Sequence, residues 1–343
     1  LGGLARKATI IDGLRSEGFD VLVLDAGNLF FKTETISPGM PMESAKRTGE
    51  IIIDAFNKIG CHAFSPGSKD FAAGLGFLQK LQSNANFPFI SANIHDIKGN
   101  RIFDPYVVLD TDETSIGVIG LASNFNHPEI YVQHPMDALG SIINELKVQV
   151  DIIVLLFNSE QSDINLLHAS DYPIDLLIRS KAKIQSGDGG NKKIPVYSCG
   201  ERGKYIYQFD FTINQANTQF IDLQFHQKQK SRAQEKLNKM KQGNMMADLH
   251  SLYQDSPASL KKIDQYEAQI TKAEKAITAA INTINVVKHS LDKKVIDRPD
   301  ILSMVEEAKR ERDKQFGPPP SSKPTGNHRH IRHDHDGDGI PDH

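Results

Sequence analysis

The chain has 343 residues, a formal net charge of -3 and 39% hydrophobic residues. This length predicts one sizeable core with an appendage, and the near-neutral charge argues against a nucleic-acid binder. No apolar run reaches the roughly 20 residues that a membrane-spanning helix needs. The chain opens at Leu1 with neither an initiator Met nor a signal peptide, so we expect a processed or truncated product.

The first 226 residues alternate short β-rich runs with segments of helical spacing. In chain order the strand candidates are FDVLVLDAG, FPFISANI, TSIGVIGLAS, VDIIVLLFN, IDLLI and KIPVYSCG. Several are apolar throughout, which is typical of strands buried on both faces. Between them, SAKRTGEIIIDAFNKIG and MDALGSIINELKVQV have helical spacing, and the first ends at Gly60. The pattern predicts a layered α/β domain over residues 1–226, with polar loops at the strand ends.

The sequence contains two cysteines, Cys61 and Cys199. Two cysteines exclude a disulfide framework, and their spacing excludes a CxxC or CxxCH motif for haem or zinc. A single bridge between them and two separately buried thiols both remain open.

Residues 227–316 are polar and helix-prone, with a seven-residue apolar repeat. A break at QDSPAS offers Ser256 as a helix cap and Pro257 for the first helical turn. The repeat fills one core position of the second helix with Ile263, Ile270, Ile277, Ile284 and Leu291. The other core position has Tyr266, Ala273, Ala280 and Val287. The preceding segment offers apolar residues at compatible spacing, which are Ala233, Leu237, Met240 and Ala247. This period predicts an antiparallel α-helical (coiled-coil) hairpin. The hairpin either packs only on itself or docks onto another protein or protomer.

A Pro-rich linker, residues 317–327, precedes a His-rich and Asp-rich tail, residues 328–343. Alternate carboxylates with an intervening Gly can converge on one hard cation, as in the calcium loops of thrombospondin type 3 repeats, which the tail resembles. The acids are Asp334, Asp336, Asp338 and Asp342. We expect weak calcium binding there. The alternatives are a solvated acidic tail, or capture of a transition metal by His328, His330, His333, His335 and His343.

Seven runs of the chain carry a resemblance to a known family: LGGLARKATIIDGLR, VLVLDAGNLF, AFSPGSKDF, FPFISANI, IGVIGLAS, DIIVLLFNSE and IPVYSCGERGKYIYQFDFTI. In order and spacing they resemble the amino-terminal domain of the secreted 5'-nucleotidase and 2',3'-cyclic phosphodiesterase family. The resemblance covers residues 1 to about 213. It implies a four-layer α/β/β/α metallophosphoesterase sandwich with two divalent metals between the two sheets. The hairpin and the tail lie outside it. The family's first strand and first ligand pair are expected upstream of Leu1.

Dinuclear phosphoesterase chemistry needs two metals roughly 3.5 to 4 Å apart, bridged by a hydroxide that attacks phosphorus. The resemblance implies which residues of this chain stand at the ligand positions. Asn28 stands at the bridging Asp, Ser68 at an Asn ligand, Lys69 at the catalytic His, Asp70 at the acidic residue after it, Phe157 or Asn158 at one His, and Ser180 and Ala182 at two others. A neutral Asn cannot supply the charge of a bridging carboxylate. Every ligand loop within the chain is therefore altered.

These positions also gain positive charge from Lys69, Arg179, Lys181 and Lys183, which disfavours metal binding. We therefore expect no dinuclear metal centre and a catalytically inactive domain that acts in binding or scaffolding at the cell envelope, outside the cytoplasm. The partner is another protein or a second copy, through the hairpin. An alternative is a metal-dependent phosphoesterase with a site remodelled around Asp25, Asn28 and Asp70.

A third possibility is a metal-free anion site made by Lys69, Arg179 and Lys181. It requires the three cations to converge. If they do not, they are solvated loop charges or pair with Asp70 and Asp25.

Overall fold

A computed structural model of the chain describes residues 3–111, 114–183, 185–186, 194–215, 218 and 220–318. Its helices are α1 Leu4–Ser16, α2 Met42–Ile59, α3 Leu75–Asn84, α4 Pro135–Leu146, α5 Gln161–Ala169, α6 Leu223–Met240, α7 Leu249–Leu252, α8 Pro257–Thr278 and α9 Pro299–Phe316. None of these described helices is long and apolar enough to cross a membrane.

The strands are short, and several are the apolar runs of the sequence. They are β1 Leu24–Asp25, β2 Ala63–Phe64, β3 Ile94–Asp96, β4 Tyr106–Asp110, β5 Ser115–Ala122, β6 Ile130–Val132, β7 Ile152–Asn158, β8 Leu176–Ser180, β9 Gln185–Ser186, β10 Val196–Ser198, β11 Tyr205–Thr212, β12 Phe220–Asp222 and β13 Asn282–Ser290. The predicted runs FPFISANI and FDVLVLDAG supply only short pairings, whereas TSIGVIGLAS and VDIIVLLFN form the long strands β5 and β7.

The largest sheet has the strand order β4-β5-β7-β8-β10-β9. Its central pairs are parallel, and β4 and β9 are antiparallel edges. Strand β7 shows why its sequence is apolar throughout. Ile153, Leu155 and Phe157 pack against α4 and α5 on one face, while alternate residues pack on the opposite face against the second sheet.

The second sheet has the order β11-β13-β12, and β1 pairs in parallel with β2 beside it. Its inner face shares a core with the large sheet, where Val154 and Leu156 meet Ile284. A further layer of α1, α2, α3 and α9 packs around Phe64 and Phe89. The described residues therefore form the α/β/β/α arrangement of a metallophosphoesterase-like fold, as the family resemblance implies.

The helical hairpin is present, but its second helix is shorter than the repeat predicts. Helices α6 and α8 pack together through Leu237 and Ile263, with Tyr266 and Ile270 against them. Helix α8 begins at Pro257 as predicted, and it ends at Thr278. The prediction that this helix continues through Ile284 to Leu291 is wrong, because residues 282–290 form strand β13.

Two features explain the strand. The segment NTINVVKHS is rich in β-branched residues, and it pairs along its whole length with β11 and β12. The strand begins at Asn282, which is 1% exposed and is held by its own side chain. The Oδ1 atom accepts the N–H groups of Asn214 and Gln215, and Nδ2 donates to two carbonyls. The apolar spacing alone cannot distinguish a buried strand from a helix here.

The domain boundaries change accordingly. The hairpin is an insertion between β12 and β13, and β13 completes the second sheet. Helix α9 then packs on α1 and α2, with Ile301 fully buried. The proposed unit 227–316 is therefore a hairpin followed by a return to the α/β domain. Of the linker, 317–327, only Gly317 and Pro318 lie within the described residues, and the tail, 328–343, lies outside them.

Candidate functional site

The ends of β7 and β8 identify which residues face the space between the two sheets. Alternation along β7 points Phe157 toward α4 and α5, so Asn158 has the inter-sheet position. The same alternation along β8 points Ser180 between the sheets and Arg179 toward α5. The structure thus decides between Phe157 and Asn158, which the sequence left open.

Asn158 lies at the centre of a neutral hydrogen-bond network. Its Oδ1 accepts the N–H of Ser68 at 3.3 Å, and its Nδ2 donates to Ser180 Oγ at 2.8 Å. The Ser180 hydroxyl in turn donates to the Ala26 carbonyl at 2.6 Å. Asn158 is 1% exposed. These hydrogen bonds link the loops of Ser68, Asn158 and Ser180 to one another and to the loop that carries Ala26 and Asn28.

Gly67 and Asn28 complete the packing of this network. A Cβ on Gly67 would lie 2.6 Å from Asn158 Nδ2 and 2.6 Å from Asn28 Oδ1, so only glycine fits there without a shift. Asn28 Oδ1 accepts the N–H of Lys69 at 3.1 Å. Asn28 has φ 59, in the left-handed region that Asn tolerates better than most residues. Its Nδ2 is buried without a hydrogen-bond partner among the described residues.

Asp70 is fully buried and holds two loops together. Its Oδ1 accepts the N–H groups of Leu29 and Phe30, and its Oδ2 accepts those of Asn28 and Gly67, at 2.7 to 3.0 Å. Burial raises the pKa of Asp70 to about 6, against the lowering effect of these donors. Both carboxylate oxygens are occupied by the backbone, so the role of Asp70 here is structural.

Asp25 ends β1 and is the other carboxylate of the predicted set. Its Oδ1 accepts the N–H of Gly27 at 3.0 Å. Burial raises its pKa, and the nearby Lys7 ammonium acts in the opposite direction.

The two lysines at the mouth of the site are paired with glutamates. Lys69 Nζ lies 2.8 Å from Glu201, and Lys181 Nζ lies 2.7 Å from Glu160 and 4.0 Å from Glu34. The Ser68 hydroxyl also donates to Glu34, at 2.8 Å. The cations thus pair with carboxylates, as one alternative predicted, but with these glutamates.

Arg179 does not join the two lysines. It is 7% exposed and donates to Gln161 Oε1 and to the Ser159 carbonyl, both at 2.9 Å, on the helix side of the sheet. Strand alternation therefore separates the three residues of the predicted anion site. Ala182 contributes its carbonyl, which accepts from Ser198 Oγ at 3.4 Å.

Most carboxylate and amide oxygens at the described ligand positions already accept backbone N–H groups. Hard and borderline divalent metals need free carboxylate, imidazole or amide oxygen donors from several loops. Here the Oδ1 atoms of Asn28 and Asn158 accept backbone N–H groups, and the oxygens of Asp70 are occupied likewise. Hydrogen bonds of the network thus use the same oxygens that a cation would require.

Sequence reasoning missed the glutamates at the mouth. Glu160 stands in the motif LLFNSE, two residues after the end of β7, and Glu201 stands in ERGKYIYQFDF, three residues after the end of β10. Their charge, opposite in sign to that of Lys69 and Lys181, was the available signal.

The cysteines are both free thiols. Burial raises the pKa of Cys61 to about 12 and that of Cys199 to about 11, so both are protonated at neutral pH. Of the two alternatives left open, the structure has separate thiols.

Comparison with known proteins identifies relatives by sequence. No family model matches the chain. Protein UshA of Escherichia coli is 29% identical over 224 residues, which is 60% of this chain and 39% of that protein. The 5'-nucleotidase of Vibrio parahaemolyticus is 39% identical over 126 residues, 35% of this chain and 21% of that protein. The chain thus spans about two fifths or less of the length of these relatives.

Two solved structures share the fold. The calcineurin-like phosphoesterase YfkN from Bacillus subtilis matches with a TM-score of 0.59 and 17% identity, over 91% of this chain and 90% of that one. A 5'-nucleotidase precursor from Thermus thermophilus matches with a TM-score of 0.50 and 20% identity, over 61% of this chain and 45% of that one.

Proposed function

The chain belongs to the 5'-nucleotidase family of the metallophosphoesterase fold, and we propose that in this member the domain no longer hydrolyses phosphoesters. The observation that carries the proposal is the network of Asn158, Ser68 and Ser180. Where the family places metal ligands, these side chains and backbone groups bind one another. Function follows from the site and not from the fold, so family membership alone does not argue for activity.

The charges at the mouth support the same proposal. Lys69 and Lys181 place two ammonium groups beside the altered ligand positions, and each is neutralised by a glutamate. Breaking those pairs to admit a phosphate ester would leave the glutamates facing an anion. The arrangement therefore favours neither a metal-bound nor a metal-free phosphate.

We propose that the protein works instead by binding or scaffolding, with the α6–α8 hairpin as its contact surface. The loop between α6 and α7 exposes Met245 and Met246, 58% and 92% accessible, and Leu252 in α7 is 47% exposed. Exposed apolar side chains on an inserted element are suited to a protein partner, of which a second copy is the first to test. An extracytoplasmic location at the cell envelope is part of this proposal, as is weak calcium binding by Asp334, Asp336, Asp338 and Asp342.

The hydrolysis claim is tested on the full native polypeptide with Mn²⁺, Zn²⁺ or Co²⁺, using 5'-AMP and bis(p-nitrophenyl) phosphate. We expect no metal-dependent release of phosphate or nitrophenol above the rate of a Ser180→Ala variant. Metal-dependent turnover that Asp25→Asn abolishes would overturn the proposal and favour the remodelled enzyme, because Asp25 is the buried acid of that alternative.

The scaffolding claim is tested by sedimentation equilibrium of the same polypeptide. The triple variant Met245→Ser, Met246→Ser, Leu252→Ser removes the exposed apolar side chains without touching the hairpin core of Leu237 and Ile263. Self-association that this variant weakens at least tenfold supports a second copy as partner. Monomeric behaviour of both proteins contradicts it.

A further inference from the structure

Three metal-ligating side chains meet at the end of the hairpin, far in sequence from the ligand positions described above. His250 belongs to α7, and Asp264 and Glu267 lie one turn apart on α8. His250 Nε2 lies 3.2 Å from Glu267 Oε2 and 3.9 Å from Asp264 Oδ1. One ligand atom from each residue lies within 4.8 Å of the other two.

The imidazole is held in position by its own short helix. Asp248 caps α7, since its Oδ1 accepts the N–H of His250 at 3.1 Å and its Oδ2 accepts from Ser251 Oγ at 2.6 Å. The Tyr253 hydroxyl then donates to the Met240 carbonyl at 2.9 Å, which ties the end of α7 to α6. Leu249 packs in the hairpin core beside these contacts. His250 therefore faces α8 from a backbone fixed on both sides.

The carboxylates face histidine and no stronger cation. Helix α8 is rich in lysine, yet within the described part of the chain neither Asp264 nor Glu267 has a Lys or Arg partner within 4.0 Å. All three side chains are about half exposed or more. Their donor atoms are thus accessible to an ion from solvent.

We propose that His250, Asp264 and Glu267 bind one divalent transition metal, with Zn²⁺ as the representative ion. One imidazole nitrogen and two carboxylate oxygens are ligands that zinc accepts, and water would complete the four-coordinate site. A zinc ion about 2.0 to 2.2 Å from each tetrahedral ligand holds these atoms roughly 3.3 to 3.6 Å apart. The His250 to Glu267 distance of 3.2 Å is close to this spacing. Small rotations of exposed side chains bring in Asp264.

Binding would join α7 to α8, immediately after the α6–α7 loop that carries the exposed methionines. A metal that binds only the folded hairpin stabilises it in proportion to the logarithm of its concentration. The site does not depend on the state of the former phosphoesterase positions, so this inference stands or falls separately from the proposed function.

The test uses the full chain with His328, His330, His333, His335 and His343 replaced by Asn, so that the tail imidazoles do not compete. Co²⁺ replaces Zn²⁺ because its visible absorption reports coordination. This tail-substituted chain is the parent of the variants below. We expect it to bind one Co²⁺ per chain, and we expect Zn²⁺ to raise the midpoint temperature of its thermal unfolding. His250→Asn and Glu267→Gln should each weaken binding at least tenfold and remove the thermal shift.

The matched control is Glu235→Gln, an exposed glutamate of α6 on the same hairpin, which should leave binding unchanged. Circular dichroism of each variant checks that the hairpin remains folded. A parent that binds no Co²⁺, or His250→Asn and Glu267→Gln variants that bind it as tightly as the parent, would overturn the inference.

Discussion

Asn158 donates a 2.8 Å hydrogen bond from its side-chain amide to the hydroxyl of Ser180, across the ends of two adjacent parallel strands. The resemblance implies histidine ligands at both positions. Here the side-chain amide of Asn158 and the hydroxyl of Ser180 form a hydrogen bond with each other in a buried space. Asn158 also accepts a hydrogen bond from the backbone N–H of Ser68. Neutral hydrogen bonds thereby join these loops.

Removing the central amide should destabilise the domain. Asn158→Ala leaves the buried Ser68 N–H without its acceptor and removes the bond to the Ser180 hydroxyl. An unsatisfied buried polar group costs about 1 to 3 kcal/mol. We expect a loss of about 2 kcal/mol in the free energy of unfolding, measured by urea denaturation. The matched control Asn124→Ala changes an exposed asparagine and should stay within about 0.5 kcal/mol of wild type. Equal effects of the two substitutions would contradict the network.

Gly67 offers a test of how tightly the same space is filled. In Gly67→Ala the new Cβ meets Asn158 and Asn28 at 2.6 Å, so those side chains must move and lose their bonds. We expect a loss of about 2 kcal/mol or more, as for overpacking elsewhere. Gly76→Ala is the control, since its Cβ meets nothing within 4 Å and lies in α3. It should be neutral or stabilising by up to about 1 kcal/mol. A Gly67→Ala protein as stable as Gly76→Ala would indicate an open site.

Strand β13 can be distinguished from a continued helix by two isoleucines. Ile284 is fully buried between the sheets, and Ile281 just before the strand is 42% exposed. Truncation of a buried isoleucine to alanine costs about 2 to 5 kcal/mol. Ile284→Ala should therefore lose at least about 2 kcal/mol in chemical denaturation, and Ile281→Ala about 1 kcal/mol or less. The reverse order would argue against the strand.

The pH dependence of stability should include a contribution from Asp175. Its Oδ2 accepts the N–H of Ile153 at 2.8 Å, and burial raises its pKa to about 6 from an ordinary value of 3.8. An acid whose pKa is higher in the folded state contributes stability below its unfolded pKa, and that stability is lost as pH rises through the folded pKa.

Asp175→Asn keeps an acceptor for Ile153 and removes this titration. Between pH 4 and pH 7, the free energy of unfolding of wild type should fall relative to that of Asp175→Asn by about 2 kcal/mol, allowing for partial solvent screening. Urea midpoints across this range provide the measurement. Parallel pH profiles of the two proteins would contradict the assignment.

Much of the fold was predictable because its patterns are local. The apolar runs that become β5, β7 and β8 are bounded by turns, and α2 ends at Gly60 in the left-handed conformation. The strand β13 was not predictable from periodicity, since Ile277, Ile284 and Leu291 keep a seven-residue spacing across a change from helix to strand. Its pairing with β11, about 75 residues earlier in the chain, is a tertiary contact that overrides the local pattern.

The candidate site was predictable in part. The sequence identified Asn28, Ser68, Asn158 and Ser180 as altered positions, and the structure brings them together. That Asn158 bonds both Ser68 and Ser180 depends on side-chain geometry that no spacing encodes. The separation of Arg179 from Lys69 follows from strand alternation, which fixes the face of each residue once the register of β8 is known.

The most direct measurement is the metal content of the full native polypeptide carrying the five tail His→Asn substitutions and His250→Asn. The protein is soaked in Mn²⁺ or Zn²⁺, freed of loose ions and analysed by mass spectrometry. With the five tail histidines and His250 replaced, we predict no retained metal. About two ions per chain, the number a dinuclear phosphoesterase site needs, lost on Asp25→Asn, would contradict the account.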